Sequence, residues 1–160
     1  MIEIRALTLA DEPFLWEMLY QALHVPPGQP PFPRNIVQQP EISHYVQGWG
    51  KADDMGFIAL DAGKPVGAAW FRLLMGDNRG YGYVDDTTPE LTVALLPEYR
   101  GQGIGRKLIH HLLEKAQSCY KAISLSVSPD NPVKQLYENL GFEVVGKNGS
   151  SLTLVKRWDR

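Results

Sequence analysis

LLPEYRGQGIGRKLIHHL, residues 95–112, leaves an apolar strand through a proline, passes three spaced glycines and becomes helical. The first amides of a helix lack intrahelical acceptors and together carry roughly half a positive charge. Arg100, Arg106 and Lys107 add full positive charges at that end, where cationic side chains are ordinarily unfavourable. Gly101, Gly103 and Gly105 let a bulky group approach the backbone without meeting a Cβ. Bare backbone plus positive charge fits an anion, and a pyrophosphate would relieve the repulsion. A glycine-rich turn with solvated basic residues fits the same letters. Two common phosphate loops are excluded. Walker A and the dinucleotide fingerprint Gly-x-Gly-x-x-Gly both demand glycine at position 106, which is Arg106.

Composition sets the frame around this stretch. With 160 residues, the chain is expected to form a single domain, 1–160, around one core. Its 44% hydrophobic and 21% charged content is that of a globular protein, and a net charge of −2 argues against a broad nucleic-acid-binding surface. The start, MIEIRALTLADEPF, lacks a signal-peptide layout, and no apolar run approaches a membrane span, so no membrane partner is expected. A single cysteine, Cys119, excludes an internal disulfide framework and makes the cytoplasm the expected location. Its place on the apolar side of a helix predicts a small buried hydrophobe.

Periodicity organises the rest. "IEIRAL" alternates as a strand; Thr8 or Asp11 can cap the helix that follows, with Leu15, Met18 and Leu19 inward. Five prolines in "PPGQPPFP" forbid helix and sheet ladders alike, and a short second helix is expected from Pro40. Residues 55–74 read as a hairpin turning at Asp61–Lys64, and Glu90–Leu96 as a strand. Residues 103–119 carry a wide apolar stripe, from Ile104 through Leu108 and Leu112 to Ala116. "AISLSVS" is a strand, "NPVKQLYENLGF" a helix stopped by Gly141, and "FEVVG" and "SLTLVKRW" are closing strands. The order β-α-α-β-β-β-α-β-α-β-β gives an α/β (mixed α+β) fold.

At this point the chain resembles a known family. Arg-x-x-Gly-x-Gly after a strand, followed some thirty residues on by "NPVKQLYENLGFEVVG", is similar to the GCN5-related N-acetyltransferases (GNAT). The resemblance implies a splayed, mostly antiparallel mixed sheet of six to seven strands with helices on both faces. It implies acetyl-CoA as donor, an amine on a small molecule or peptide as acceptor, and direct transfer in a ternary complex. The backbone of Arg100, Gly101, Gln102, Gly103, Ile104 and Gly105 would hold the coenzyme pyrophosphate. Val93 and Leu95 would hydrogen-bond the pantetheine arm through their backbone, much as a strand does. Asn131 lies near the family's coenzyme-contacting asparagine, although Asp130 has the more usual spacing from Tyr137; Asn131 is equally a helix cap. Homodimers are common in such families.

Acetyl transfer needs a neutral amine and a proton for the departing thiolate. Tyr137, in Leu136-Tyr137-Glu138-Asn139-Leu140-Gly141-Phe142, matches the family's "LYxxxGF" and would supply that proton. Glu90, opening the strand towards the coenzyme, is the candidate base; a solvated edge position is its other reading. Asp85 and Asp86 in "DDTTP" read as a turn. The aromatics Trp49, Trp70, Phe32, Tyr81 and Tyr83 are candidates for an acceptor pocket or for packing. Adjacent His110 and His111 diverge by about 100° on a helix and cannot share a metal, so no metal is expected.

Overall fold

In the computed structural model, which describes residues 1–158, the predicted order of elements is observed. Strand β1 (Ile2–Ala6) leads into helix α1 (Glu12–Ala22) and the short α2 (Pro40–Ser43). Strands β2 (Met55–Asp61), β3 (Lys64–Arg72) and β4 (Glu90–Leu95) form a meander, and helix α3 (Ile104–Cys119) crosses to β5 (Ala122–Val127). Helix α4 (Val133–Asn139) and strands β6 (Glu143–Asn148) and β7 (Ser151–Arg157) complete the chain. The seven strands form one sheet in the order β1-β2-β3-β4-β5-β7-β6, antiparallel except at β4–β5.

Local chemistry accounts for the elements. Thr8 and Asp11 form a reciprocal capping box ahead of α1. The β2–β3 turn places Ala62 and Gly63 at φ of 50° and 86°, the pair of positive values that a two-residue hairpin turn requires. Helix α4 stops where Gly141 takes φ 98°.

The sheet separates two apolar cores. Alternation sends Ala68, Trp70 and Ala94 towards α1 and α2, with Leu15, Met18, Leu19, Val46 and Trp49. Ala69, Phe71 and Leu91 face the opposite way, onto Leu108, Ile109, Leu112 and Ala116 of α3. One expectation is corrected here: Cys119 is exposed. The buried stripe of α3 ends at Ala116, and Cys119 borders an open surface pocket with Met55, Phe71 and Tyr120. No described helix is long and apolar enough to cross a membrane.

The feature that positions the site is the junction of β4 and β5. Their register contains one pair, Glu90 with Ser124, after which the strands part. Every other neighbouring pair in the sheet has five or more. The sheet therefore opens into a fork, with Glu90 at its base and the rest of β4 as a free edge.

Candidate active site

The free edge has a defined polarity. The Leu96 amide donates to Val66 O at 2.9 Å, so even-numbered residues of β4 direct their backbone groups towards β3. The Ser124 amide donates to Pro89 O at 2.9 Å, so odd-numbered residues direct theirs towards β5. Alternation along a strand then aims the amides and carbonyls of Val93 and Leu95 into the fork, where β5 no longer answers them. Their side chains pack against the α3 core.

At the mouth of the fork stands the start of α3. Gly101 and Gly103 adopt φ of 76° and 84°, conformations that glycine alone enters without strain, and a Cβ on either would meet nothing within 4 Å. Residues 101–103 are exposed, and Ile104 is buried beneath them as the anchor. No side chain caps the helix and its first turn holds no acid. The amides of residues 101–106 find no acceptor among the described residues. Such a row of donors at a helix start is an anion cradle. Gly105 enters the helix with Leu95 Cδ1 at an ordinary 3.6 Å from where its Cβ would be.

The side chains around this turn face other ways. Arg100 donates to the backbone oxygen and Oε1 of Gln21 at 3.2 and 3.1 Å, tying the turn to the end of α1. Gln102 donates to Glu98 O at 3.1 Å. Asn131 accepts the Val133 amide at 3.1 Å through Oδ1, at the entry to α4, and its NH2 group remains for a ligand.

Glu90 sits at the base of the fork with 5% of its surface exposed, so it is not a solvated edge residue. Burial raises its carboxyl from 4.5 to about 7, against the opposing pull of the Tyr45 hydroxyl and the nearby Gly82 amide. Tyr45 donates to Oε2 at 2.7 Å and accepts the Tyr81 amide at 2.8 Å. The other carboxylate oxygen, Oε1, is buried without a hydrogen-bond partner. Arg72 is the cross-strand neighbour of Glu90, yet its guanidinium turns to Asp54 at 2.9 Å and to the carbonyls of His44 and Gln47. Those bonds hold the segment that carries Tyr45 and leave Glu90 without a neutralising cation.

Tyr137, from α4, is 7% exposed and stacks edge-on against Phe142 with ring centroids 5.9 Å apart. Burial pushes its phenol well above the ordinary value, and its hydroxyl bonds to no described residue. The phenol therefore stays protonated at any physiological pH.

Several site residues were invisible in the sequence. Tyr45 is 45 positions from Glu90 and lies in a segment read only as a short helix. Gly80 and Gly82 cross the fork: a Cβ on Gly80 would collide with Glu90 Oε1, and one on Gly82 would lie 2.8 Å from the Leu125 carbonyl carbon. Their alternation in "RGYGY" was the available signal. Of the aromatic candidates, Trp49 and Trp70 are core residues, whereas Tyr81 is 40% exposed. Asp85 makes the expected turn, accepting from Thr87 and Thr88. Among the described residues no cluster of three metal-ligating side chains occurs.

A fork with a free strand edge and an amide cradle at the following helix offers backbone donors and acceptors to an extended ligand with an anionic end. The model of the acetyltransferase (GNAT) family matches residues 16–142, and the chain belongs to that family. Among curated relatives, a 5-NmdU N-acetyltransferase of Pseudomonas phage PaMx11 is 33% identical over 69 residues, and the L-amino acid N-acyltransferase MnaT of Escherichia coli is 32% identical over 73. These matches span 41% and 44% of this chain, and only 48% and 42% of the relatives' own lengths. The fold matches the PaiA N-acetyltransferase of Thermoplasma acidophilum, solved with coenzyme A, at a TM-score of 0.68 and 19% identity, covering 99% of both chains. It matches YncA of Salmonella typhimurium, solved with acetyl-CoA, at 0.66 and 22% identity, over 100% of this chain and 95% of that one.

Proposed function

We propose that the chain transfers an acetyl group from acetyl-CoA to a primary amine by direct attack within a ternary complex. The observation that carries this reading is the row of unanswered amides at residues 101–106, which follows the free edge of β4 after a single turn. The amides would hold the pyrophosphate, and the backbone of Val93 and Leu95 would pair with the amides of the pantetheine arm. That arm would lead the thioester towards the base of the fork.

There Glu90 takes a proton from the arriving ammonium, acting through a water or after a shift of the Gly80 segment, because its own surface is covered. The neutral amine forms the new C–N bond as the C–S bond breaks. Tyr137 gives its proton to the departing sulfur and recovers one released by the acylated nitrogen. The proton on Glu90 returns to solvent, so the net products are amide, thiol and one proton. A base titrating at about 7 is half ionised near neutrality, where proton acceptance is both frequent and effective.

The test is coenzyme binding by calorimetry in Gly105→Glu, whose helical backbone tolerates a side chain and whose carboxylate would occupy the cradle. Binding should weaken by about 100-fold or more while the fold remains intact. Affinity equal to the parent's would overturn the assignment. Tyr137→Phe then separates catalysis from binding: turnover falls and coenzyme affinity holds.

A further inference from the structure

A small surface pocket of about 80 Å³ opens on the acceptor side of the fork, lined by Glu41, Arg79, Gly80, Tyr81 and Asn148. Three separate segments build it: the first turn of α2, the β3–β4 connection and the end of β6. They are tied together, since Asn148 Nδ2 donates to Tyr81 O at 3.4 Å. Tyr81 titrates above its ordinary value through burial and then the nearby Glu41 charge.

Two features of this pocket bear on a ligand. It contains a carboxylate and a guanidinium that do not pair with each other, and neither makes an ion pair or hydrogen bond with any other described residue. Arg79 lies 4.2 Å over the Tyr83 ring, which fixes its position and leaves its N–H groups unclaimed. Behind the lining residue Gly80 lies Glu90 Oε1, buried and unpartnered. Glycine at 80 is required by that approach, because any Cβ would collide with Oε1 and come within 2.7 Å of the Tyr45 oxygen.

We infer that this pocket seats an acceptor carrying a carboxylate beside its amine: a free amino acid. Arg79 takes the carboxylate through paired N–H donors, the geometry in which a guanidinium binds carboxylates most strongly. Glu41 attracts the ammonium as it arrives, and the amine then lies over Gly80, the residue that covers the buried, unpartnered Oε1 of Glu90 and would have to shift, or admit a water, for the proton to pass. A polyamine would meet repulsion from Arg79, and a peptide N-terminus carries no carboxylate at the required place. This assignment rests on the acetyltransferase reading and narrows its acceptor.

The experiment compares each of the common free L-amino acids with its own amide, using acetyl-CoA and measuring released thiol. The expected result is kcat/KM at least 50-fold higher for the best acid than for its amide. Arg79→Gln should reduce kcat/KM for the acid about 100-fold, mainly through KM, and narrow the acid-to-amide preference to within about threefold. Calorimetric titration of that amino acid into the coenzyme A complex reads the same site without turnover, and Arg79→Gln should abolish the signal. Equal or better use of amides or diamines would overturn the acceptor assignment and leave the acetyltransferase reading standing. So would the absence of amino-acid binding to a complex that does hold coenzyme. Failure to bind coenzyme at all would overturn both.

Discussion

The two flanks of the fork are made of different materials. The coenzyme flank is backbone: amides 101–106, the odd-numbered residues of β4, and glycines that keep side chains out of the way. The acceptor flank is side chains: Glu90 held by Tyr45, Tyr45 held by the Tyr81 amide, and Arg72 bracing the segment beneath. A backbone cradle is specified by a short run of sequence, and under the proposed function it would take the acetyl donor. A side-chain pocket is assembled from distant segments and sets what is particular to one member.

The largest effect should come from the backbone flank. Gly105→Glu is expected to cost about 100-fold or more in coenzyme affinity, checked by calorimetry, with an unfolding midpoint within a few degrees of the parent's. Next, Glu90→Gln should lower kcat by roughly 100-fold and flatten the acid limb of the pH–rate profile, which in the parent should rise through about 7. Coenzyme affinity should be unchanged, because the two flanks act on different ligands. Tyr137→Phe should lower kcat by a comparable or smaller factor, at constant coenzyme affinity and with the pH profile unchanged in shape, because the phenol does not titrate in the accessible range.

A smaller and more discriminating effect concerns Tyr45. Its hydroxyl favours the ionised carboxylate, so Tyr45→Phe should move the acid limb above 7, in contrast to the loss of the limb in Glu90→Gln. The same group governs stability. Because the folded value of Glu90 lies above its ordinary 4.5, its contribution is fullest below about 4.5 and declines as pH rises through about 7. At roughly 1.4 kcal/mol per unit the decline is on the order of 3 kcal/mol. Denaturant titrations at about pH 8 should find Glu90→Gln more stable than the parent, with the difference shrinking towards pH 5.

What could be read in the sequence follows the same division. Helix α3, the hairpin at Asp61–Lys64 and the glycine turn rest on interactions between residues a few positions apart, and each is found where periodicity and turn chemistry placed it. The family resemblance drew on those local patterns. The Tyr45–Glu90 bond joins residues 45 positions apart, and nothing in "EISHYVQGW" signals it. Cys119 was misplaced because periodicity says which side of a helix a residue is on, not whether neighbouring segments close over it; here an open pocket remains. Glu90 was legible as a carboxylate opening a strand, but its burial depends on β3, β5 and the Gly80 segment closing around it.

The central claim is that an extended coenzyme spans two stretches of unanswered backbone, the α3 turn and the free edge of β4. Amide-resolved NMR during titration with coenzyme A reads both stretches directly. The largest shifts should fall on the amides of residues 101–106 together with Val93 and Leu95, while Ala94, whose amide faces β3, responds less. Saturable binding that leaves those amides unmoved and perturbs another surface would contradict the account.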